Sequence, residues 1–535
     1  MIKRLLNGQI LSITAAATLI AASSLASRFL GVFRDRILAG EFGAGDTLDI
    51  YYAAFRVPDL IFNLLILGAL SAGFIPVFTS LIKHEKNEAW ELASGVLNIL
   101  GFALVVLSGL GIIFAPFLMK LITPGFDAEK MALTVSLARV MFLSPIFLGI
   151  SGVFGGILQS LKRFFVYSLT PIVYNIGIIV GVLYFAPIWG VYGLAWGVVI
   201  GAAAHMLIQL PSVLNLDFKY SFIFNWRNAA VRRIGRMMVP RTFSLAIAQI
   251  NLVVITIIAS TLSSGSLAVF NFANNLQSFP VGIFGISFAV AAFPTLSAYA
   301  FKKEKVAASL SLIVRQILFF IVPSMVLLLI LRAQIIRVVL GTGQFDWEDT
   351  VLTLDTLGFF SISLFAQALI PLLTRVFYAR HDSRRPFYIG LFTVAANVFL
   401  SLWLASKMGV AGLALAFSIA NIINFIILWL VLRFKIGEMD EMKILISSLK
   451  FSLAAIACGI AAQGMKNSVA PFVDMDKFWG VLTQGAIAGA IGIVVYILTC
   501  YLLRSEELLN FWSGLKRRLL WSKAEVEDRG EARGI

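Results

Sequence analysis

Long apolar runs, separated by short polar or basic segments, dominate the hydrophobic pattern of the chain. An α-helix needs about 20 apolar residues to cross the hydrocarbon core of a bilayer, and these runs reach that length. A transmembrane β-barrel would instead show alternating segments of about 10 residues. The pattern predicts fourteen transmembrane helices, called spans 1 to 14, over residues 10–39, 47–82, 91–119, 131–158, 166–186, 190–214, 236–262, 266–300, 307–331, 350–377, 386–406, 409–432, 444–465 and 478–503.

Composition agrees with an all-α polytopic membrane protein. Hydrophobic residues make up 59% of the 535 residues and charged residues only 13%, whereas soluble domains carry about 25% charged residues. A soluble enzyme, a disordered chain, a coiled coil and a disulfide-rich secreted domain are therefore excluded. The three histidines are far apart in sequence and both cysteines lie in apolar segments, so we expect no metal site, haem or disulfide.

Lysine and arginine predict the orientation. Fourteen spans place both termini on one side, and that side collects roughly four times as many Lys and Arg residues as the other, which marks it as cytoplasmic. The first apolar run follows Lys3 and Arg4 without a small-residue cleavage site, so we interpret it as a retained helix. The net charge of +15 mostly reflects these loops, and we expect no nucleic-acid partner.

Two loop motifs recur at one constant offset. Phe126-Asp127 returns as Phe345-Asp346, and the segment 190–195 (GVYGLA) returns as 409–414 (GVAGLA), each 219 residues later. Because this offset contains six spans, the two copies have the same orientation and a symmetry axis along the membrane normal. The repeat predicts two pseudo-symmetric six-helix lobes around a central cavity, which suits alternating access, plus two extra helices.

The predicted domains follow from this repeat. We expect an N-lobe over residues 1–235, a C-lobe over 236–435, and spans 13 and 14 within 436–505. The tail over 506–535 should be cytoplasmic, because both termini lie on the side rich in Lys and Arg. Its first part has the pattern of an interfacial amphipathic helix. Its last dozen residues are polar and are expected to be disordered.

Charged residues inside the membrane concentrate in spans 1 and 2, where their cost marks them as functional candidates. Arg28 and Arg56 are flanked by apolar residues, and we expect both to line the cavity, where a guanidinium can bind phosphate through two parallel hydrogen bonds. Arg28 and Asp35 share a helix face and Arg34 points elsewhere. Alternatively, span 1 ends near Gly31 and residues 34–36 reach the headgroups.

Helix-breaking residues interrupt span 2. Pro58 and Pro76 remove backbone donors, and Gly68 lies between them. Such positions kink a helix, so we predict that Pro58, Gly68 and Pro76 allow span 2 to bend during transport.

Several short motifs together resemble those of one known protein family. They include residues 27–35 (SRFLGVFRD), 54–58 (AFRVP), 74–76 (FIP), 124–126 (PGF) and 377–380 (FYAR). In order and spacing they resemble the MurJ (MviN) family of the MOP exporter superfamily over spans 1 to 12, and that family also has fourteen spans. This family is not enzymatic: it flips lipid II, the undecaprenyl-pyrophosphate-linked peptidoglycan precursor, from the inner to the outer leaflet of the cytoplasmic membrane.

The resemblance implies roles for individual residues. Arg28 and Arg34 would line a cationic cavity, Asp49 would replace the family's acid in span 2, and Arg56 would match a basic position there. Asn275 occupies the position of a C-lobe cavity arginine. Spans 13 and 14 would form the groove that holds the polyprenyl tail.

The sequence also departs from the family pattern. An arginine pair and a glutamate expected after Pro58 are absent, and span 8 reads Asn274-Asn275 where the family has Asp-Arg. Span 11 offers Asn397 and Ser401 but no carboxylate, so a sodium site is not supported. These differences leave open a flippase for another polyprenyl-pyrophosphate-linked glycan.

Two further alternatives are less well supported. A multidrug exporter of the superfamily would prefer an acidic cavity, and a membrane glycosyltransferase or acyltransferase would need more than His381 beside Asp382. No Walker motif is present, so we expect no cofactor, and the membrane potential or an ion gradient would drive transport. One chain suffices for the two-lobe cavity, so we expect a functional monomer.

Overall fold

The computed structural model describes residues 13–67, 73–216 and 218–513, and these residues are mainly helical, with no strand among them. Nine of the described helices are long and apolar enough to cross a membrane. The number is ten if Trp347–Ser361 and Leu364–Ala379, which meet at a bend of 47°, form one broken span. The predicted all-α membrane fold is therefore confirmed.

The described parts of the fourteen predicted spans lie mainly on helical residues. The helices before the segment 219–227 are α1 (Ile13–Phe42), α2 (Asp46–Phe62), α3 (Ile75–Leu81), α4 (Lys86–Ile113), α5 (Ala115–Ile122), α6 (Ala128–Met141), α7 (Ser144–Ser160), α8 (Phe164–Val180), α9 (Ala186–Trp189), α10 (Val191–Leu207) and α11 (Leu210–Leu214). The helices after it are α12 (Ala229–Ser260), α13 (Ser266–Pro280), α14 (Ser287–Ala298), α15 (Lys303–Ile330), α16 (Arg332–Val339), α17 (Trp347–Ser361), α18 (Leu364–Ala379), α19 (Arg384–Ile436), α20 (Glu441–Val469) and α21 (Phe478–Leu502).

The repeated motifs adopt the same local structure in both copies. The carboxylates of Asp127 and Asp346 each accept a hydrogen bond of 2.8 Å from the backbone N–H three residues later, and so begin α6 and α17. Gly190 and Gly409 share a φ of 58° with a ψ near −140°. Since a conformation with φ > 0 at this ψ is open mainly to glycine, the shared geometry supports the predicted duplication.

Alanine at Gly190 or Gly409 is expected to destabilise the protein by about 2 kcal/mol, because a side chain strains this backbone. A Cβ at either position meets no atom within 4 Å, so the whole effect comes from the backbone. Gly101→Ala is the matched control, because Gly101 lies inside α4 with equally open surroundings. That substitution should be neutral or stabilising by up to about 1 kcal/mol. Thermal unfolding in detergent gives the melting temperatures of the three alanine variants. Equal melting temperatures would contradict the prediction.

Span 1 does not end near Gly31. Helix α1 continues to Phe42, so Arg34 and Asp35 lie well inside it, and Asp35 is only 4% exposed. The alternative that the helix ends near Gly31 is therefore wrong. Side-chain partners satisfy Asp35, and the interfacial placement of residues 34–36 stays a prediction.

The described part of span 2 departs from α-helical geometry between Pro58 and Pro76. Pro58 lies inside α2, which continues into a π-helical turn at Asn63–Leu67, and Pro76 is in the first turn of α3. Gly68 lies outside the described residues. Their role in bending stays a prediction.

The chain groups into two compact units. The first comprises the described residues up to 276 together with 339–356 and 394–416, and its core includes Phe74, Phe78 and Leu104. The second comprises residues 277–338, 357–393 and the described residues from 417 onward, with a core around Phe319, Phe377 and Phe451. The predicted lobe boundaries stay a prediction.

A buried ion pair anchors the beginning of the C-terminal tail in the second unit. Residues 506–513 are helical, and the carboxylate of Glu507 pairs with Arg315 of α15. The hydroxyls of Ser447 and Ser505 donate to the same carboxylate at 2.9 and 2.8 Å. The remainder of the predicted amphipathic and disordered tail lies outside the described residues.

Glu507→Gln is expected to lower the stability of the second unit by about 3 kcal/mol, because it leaves Arg315 buried without its main anion. Burial alone would raise the pKa of Glu507, but hydrogen bonds from Ser505 and Ser447 and the charge of Arg315 hold the pKa below its ordinary value. A lowered pKa contributes stability that is present above the unfolded-state pKa and is lost as pH falls through the folded-state value.

The melting temperature of the wild type should therefore fall more steeply than that of Glu507→Gln when the pH drops below about 4.3. Glu506→Gln is the matched control. Glu506 also contacts Arg315, at 3.2 Å, but its side chain is 73% exposed, so its loss should cost less than about 1 kcal/mol. Equal losses for the two variants would refute this account.

Candidate functional site

A polar cavity of about 370 Å³ lies inside the first unit. We call it the arginine cavity. It opens among α1, α2, α7, α8, α10 and α13, and it contains two guanidinium groups in a chain region that is otherwise strongly apolar. Its polar lining residues are Arg34, Tyr51, Tyr52, Arg56, Asp59, Tyr174, His205, Asn271 and Asn275.

Side chains from three helices hold Arg34. Its guanidinium contacts Asp35 at 2.7 Å and donates to Asn175 of α8 at 3.1 Å. The second carboxylate oxygen of Asp35 accepts from Asn275 of α13 at 2.8 Å. The expectation that Arg34 points away from Asp35 is therefore wrong, because a long arginine side chain can turn back towards its neighbour in sequence.

Arg56 is buried, and its Nε donates to Thr256 of α12 at 2.9 Å. That is the one hydrogen bond that Arg56 makes among the described residues, so its other nitrogens remain available to a bound group. The hydroxyls of Tyr52 and Tyr174 are buried without a hydrogen-bond partner in the described part of the chain. Because buried polar atoms are almost always paired, these hydroxyls indicate a polar occupant.

Asp49 and Arg28 lie outside this cavity. The carboxylate of Asp49 is 2% exposed and accepts from the backbone N–H groups of Gly265 and Ala268 at 2.9 and 3.0 Å. It also contacts Lys130 at 3.1 Å. Arg28 is half-buried on α1 and is not among the lining residues. The substrate-binding roles of both residues stay predictions.

Asp49 belongs to a tightly packed group that we call the acid–loop cluster, formed by Asp46, Asp49, Lys130, Ser264 and Gly265. Lys130 contacts both carboxylates, and Ser264 donates to Asp46. Gly265 has a φ of 81°, and a Cβ there would collide with the carbonyl oxygen of Ala44. The cluster thus joins the start of α2 to the loop before α13 at van der Waals distance.

The second unit contains an apolar groove of about 640 Å³. Helices α15, α18, α19 and α20 supply its walls, including Leu318, Phe425, Trp429 and Leu445. The resemblance assigns a lipid-tail groove to spans 13 and 14. Span 13, which is α20, lines this groove, whereas no residue of α21 is among its lining residues.

The described residues contain no group of three or more His, Cys, Asp or Glu side chains that could hold a metal ion. In span 11, the amide of Asn397 donates to Asn251 at 2.7 Å. The expectation that transport needs no cofactor stays an expectation.

The structure thus brings together Arg34, Arg56 and Asn275 of the predicted site residues. Sequence reasoning missed Asn175, Tyr174 and His205. Tyr174 and Asn175 are adjacent polar residues in span 5, and His205 is a lone histidine in span 6. That weak signal could have singled them out, but nothing in the sequence indicated that Tyr174 and His205 line a cavity with the arginines or that Asn175 contacts Arg34.

Comparison with known proteins agrees with this geometry. A family model described as "Lipid II flippase MurJ" matches residues 38–483. The probable lipid II flippase MurJ of Buchnera aphidicola subsp. Acyrthosiphon pisum (strain APS) is 32% identical over 414 residues, which cover 76% of this chain and 81% of that protein.

Solved structures show the same fold. A structure titled "Lipid II flippase MurJ, inward closed conformation" aligns with a TM-score of 0.76 and 25% identity, covering 91% of this chain and 99% of the other. An inward-facing multidrug-resistance MATE transporter of the MOP superfamily aligns with a TM-score of 0.64 and 16% identity over 77% of this chain and 96% of its own, a likeness of fold alone. The extent of the family match and the identity to its members show that this chain belongs to the MurJ family of lipid II flippases.

Proposed function

We propose that this protein moves lipid II from the inner to the outer leaflet of the cytoplasmic membrane by alternating access. Family membership supports the substrate. The observation that carries the proposal in this chain is the placement of Arg34 and Arg56 in one polar cavity. Guanidinium groups bind diphosphate oxygens through charge-assisted hydrogen bonds.

A polar cavity lowers the free-energy cost of moving a polar headgroup across the hydrocarbon core. Each unsatisfied polar group in the bilayer costs several kcal/mol. The arginine cavity supplies partners for the headgroup. An interior-negative potential of 100 mV favours outward movement of an anion by about 2.3 kcal/mol per charge.

The same proposal includes orientation and assembly. The protein spans the cytoplasmic membrane many times with both termini in the cytoplasm, as the distribution of Lys and Arg predicts. It acts as a monomer, and its partners are the lipid substrate and the bilayer.

A second candidate is a flippase for another polyprenyl-pyrophosphate-linked glycan. The observation that favours it is Asn275, which lines the arginine cavity with an amide where the family has a guanidinium. Fewer cations would suit a headgroup with fewer negative charges.

The experiment is a lipid II exposure assay in cells depleted of their own flippase. Wild type and Arg56→Gln are expressed to equal levels in the membrane, and an external headgroup-modifying probe reports lipid II in the outer leaflet. We expect the wild type to restore exposure and Arg56→Gln to fail. A well-inserted wild type that restores nothing would contradict the proposal and would favour the glycan flippase.

A further inference from the structure

His205 occupies a junction between two cavities of the first unit. A second cavity of about 340 Å³, the serine cavity, lies among α1, α2, α3, α7, α8 and α10, and its lining includes Ser24, Ser151 and Gln159. The serine and arginine cavities share only four described lining residues, namely Phe62, Leu148, Pro171 and His205. His205 is the titratable member of that shared wall.

The hydrogen bonds of His205 fit both of its protonation states. The Oγ of Ser151 lies 2.6 Å from Nδ1 and 2.9 Å from the backbone oxygen of His205, and it also accepts from Gln209. When its one hydrogen points at Nδ1, the imidazole is neutral with its proton on Nε2. When that hydrogen turns to the backbone oxygen, Nδ1 can carry a proton and donate to Oγ. A proton from solvent can therefore bind without leaving a polar atom unpaired.

Charged groups line the arginine cavity together with His205. Helix α1 contributes Arg34, which is paired with Asp35, and α2 contributes Arg56 and Asp59. The charges of these four side chains sum to zero. The other titratable side chains that face the two cavities are phenols: Tyr51 and Tyr52 of α2, and Tyr167 and Tyr174 of α8.

A charged imidazole would add one uncompensated positive charge to this neutral, low-dielectric site, and that is unfavourable unless an anion enters. The Tyr174 ring meets the imidazole edge-on, with centroids 6.3 Å apart, and its unpaired hydroxyl is a donor. The unpaired hydroxyl of Tyr52 is another. The two tyrosine hydroxyls can donate hydrogen bonds to a ligand, and the neighbouring side-chain charges sum to zero. An anionic ligand would satisfy both the hydroxyls and a charged imidazole.

We propose that His205 is a proton-dependent anion-binding residue of the arginine cavity. It is neutral when the cavity is empty, and it takes up one solvent proton on Nδ1 when the diphosphate of the lipid-linked substrate enters. The identity of this anion rests on the proposed function. Because coupling between two ligands is reciprocal, the substrate must bind more tightly at low pH, by up to about tenfold per pH unit for one linked proton.

The protonation of His205 can be observed directly, because the chain has only three histidines. His84 and His381 are exposed and lie outside both cavities. A His84→Asn/His381→Asn variant in nanodiscs, labelled with ¹³C-histidine, reports His205 alone by NMR. We expect the midpoint of its titration to rise by about one pH unit or more when inorganic diphosphate is added. In the variant that also carries Arg34→Gln, inorganic diphosphate should raise the titration midpoint of His205 by less. A midpoint that does not respond to diphosphate overturns the proposal.

A binding measurement tests whether the substrate binds more tightly at low pH. Lipid II binding to nanodiscs is compared at pH 6.0 and 8.0 for the wild type, His205→Gln and the control His381→Asn. We expect wild type and control to bind at least about tenfold more tightly at pH 6.0, and His205→Gln to keep only the smaller change caused by the ligand's own ionisation. Equal pH dependence in wild type and His205→Gln overturns the proposal.

Two further outcomes separate the possible failures. A wild type that binds no lipid II at either pH contradicts the proposed function, and the diphosphate titration of His205 then still decides whether the cavity links a proton to an anion. If His205→Gln does not fold, Ser151→Ala takes its place. Loss of that hydroxyl leaves the charged imidazole without its acceptor, so we expect a lower titration midpoint, and an unchanged midpoint would contradict the hydrogen-bond argument.

Discussion

Arg34→Gln is expected to reduce lipid II exposure at least tenfold. The substitution removes one of the two guanidinium groups of the arginine cavity and leaves Asp35 buried without its cation. Hydrogen bonds to charged groups contribute about 1.5–3 kcal/mol each, and 1.4 kcal/mol corresponds to a factor of ten in binding. Exposure of lipid II in flippase-depleted cells measures the effect at matched protein levels.

Arg28→Gln is the matched control on the same helix. Arg28 is half-buried on α1 but is not among the cavity's lining residues, so its loss should reduce exposure less than the loss of Arg34. Arg34→Lys separates charge from geometry, because lysine keeps the positive charge but cannot contact Asp35 and Asn175 through one planar fork. We expect an intermediate activity. A fully active Arg34→Gln, or a stronger defect in Arg28→Gln, would exclude the arginine cavity as the headgroup site.

Asp49→Asn is expected to destabilise the protein by about 3 kcal/mol, the cost of breaking a buried ion pair. The carboxylate of Asp49 accepts from two backbone N–H groups and from Lys130. In Asp49→Asn the amide NH2 group replaces one carboxylate oxygen, so it meets at least one of these N–H donors and cannot accept its hydrogen bond. Lys130 also loses the negative charge of Asp49. Because about 1 kcal/mol shifts the melting temperature of a large domain by 2–4 °C, we expect a fall of at least about 5 °C in detergent.

Asp46→Asn provides the control within the same acid–loop cluster. Asp46 also contacts Lys130, but its side chain is 60% exposed, and exposed pairs contribute about 1 kcal/mol or less. Its melting temperature should therefore stay within about 2 °C of the wild type. A larger effect at Asp46 than at Asp49 would show that burial does not control the strength of this cluster.

The sequence predicted the helical part of the fold well, because the signals involved are local. Apolar runs of membrane-spanning length mark each helix, and the 219-residue offset marks the duplication. The structure adds that both copies share a backbone conformation at Gly190 and Gly409 and a carboxylate cap at Asp127 and Asp346. Gly409, with a φ of 58°, divides α19 at the junction between the two spans that the sequence predicts over 386–406 and 409–432.

The candidate site was predicted only in part. Charge within an apolar span singled out Arg28 and Arg56, because such residues are costly in a membrane and need a polar environment. The resemblance added Arg34, and the structure places Arg34 and Arg56 among the lining residues of the arginine cavity. The same criterion could not separate them from Arg28, which is equally charged and lies two turns earlier on the same helix. It also missed His205, because a lone histidine near a helix end is compatible with many environments.

By itself, the sequence determined the fold class, the repeat and the family, because hydrophobic periodicity, motif spacing and glycine positions are properties of local stretches of chain. Only the tertiary structure decided which charged residues share the arginine cavity and which, like Asp49, cap a distant helix. The physical reason is that a buried charge is stabilised by partners that are remote in sequence. Arg34 depends on Asn175, Asp35 on Asn275, and Asp49 on Gly265, and no local pattern encodes those distances.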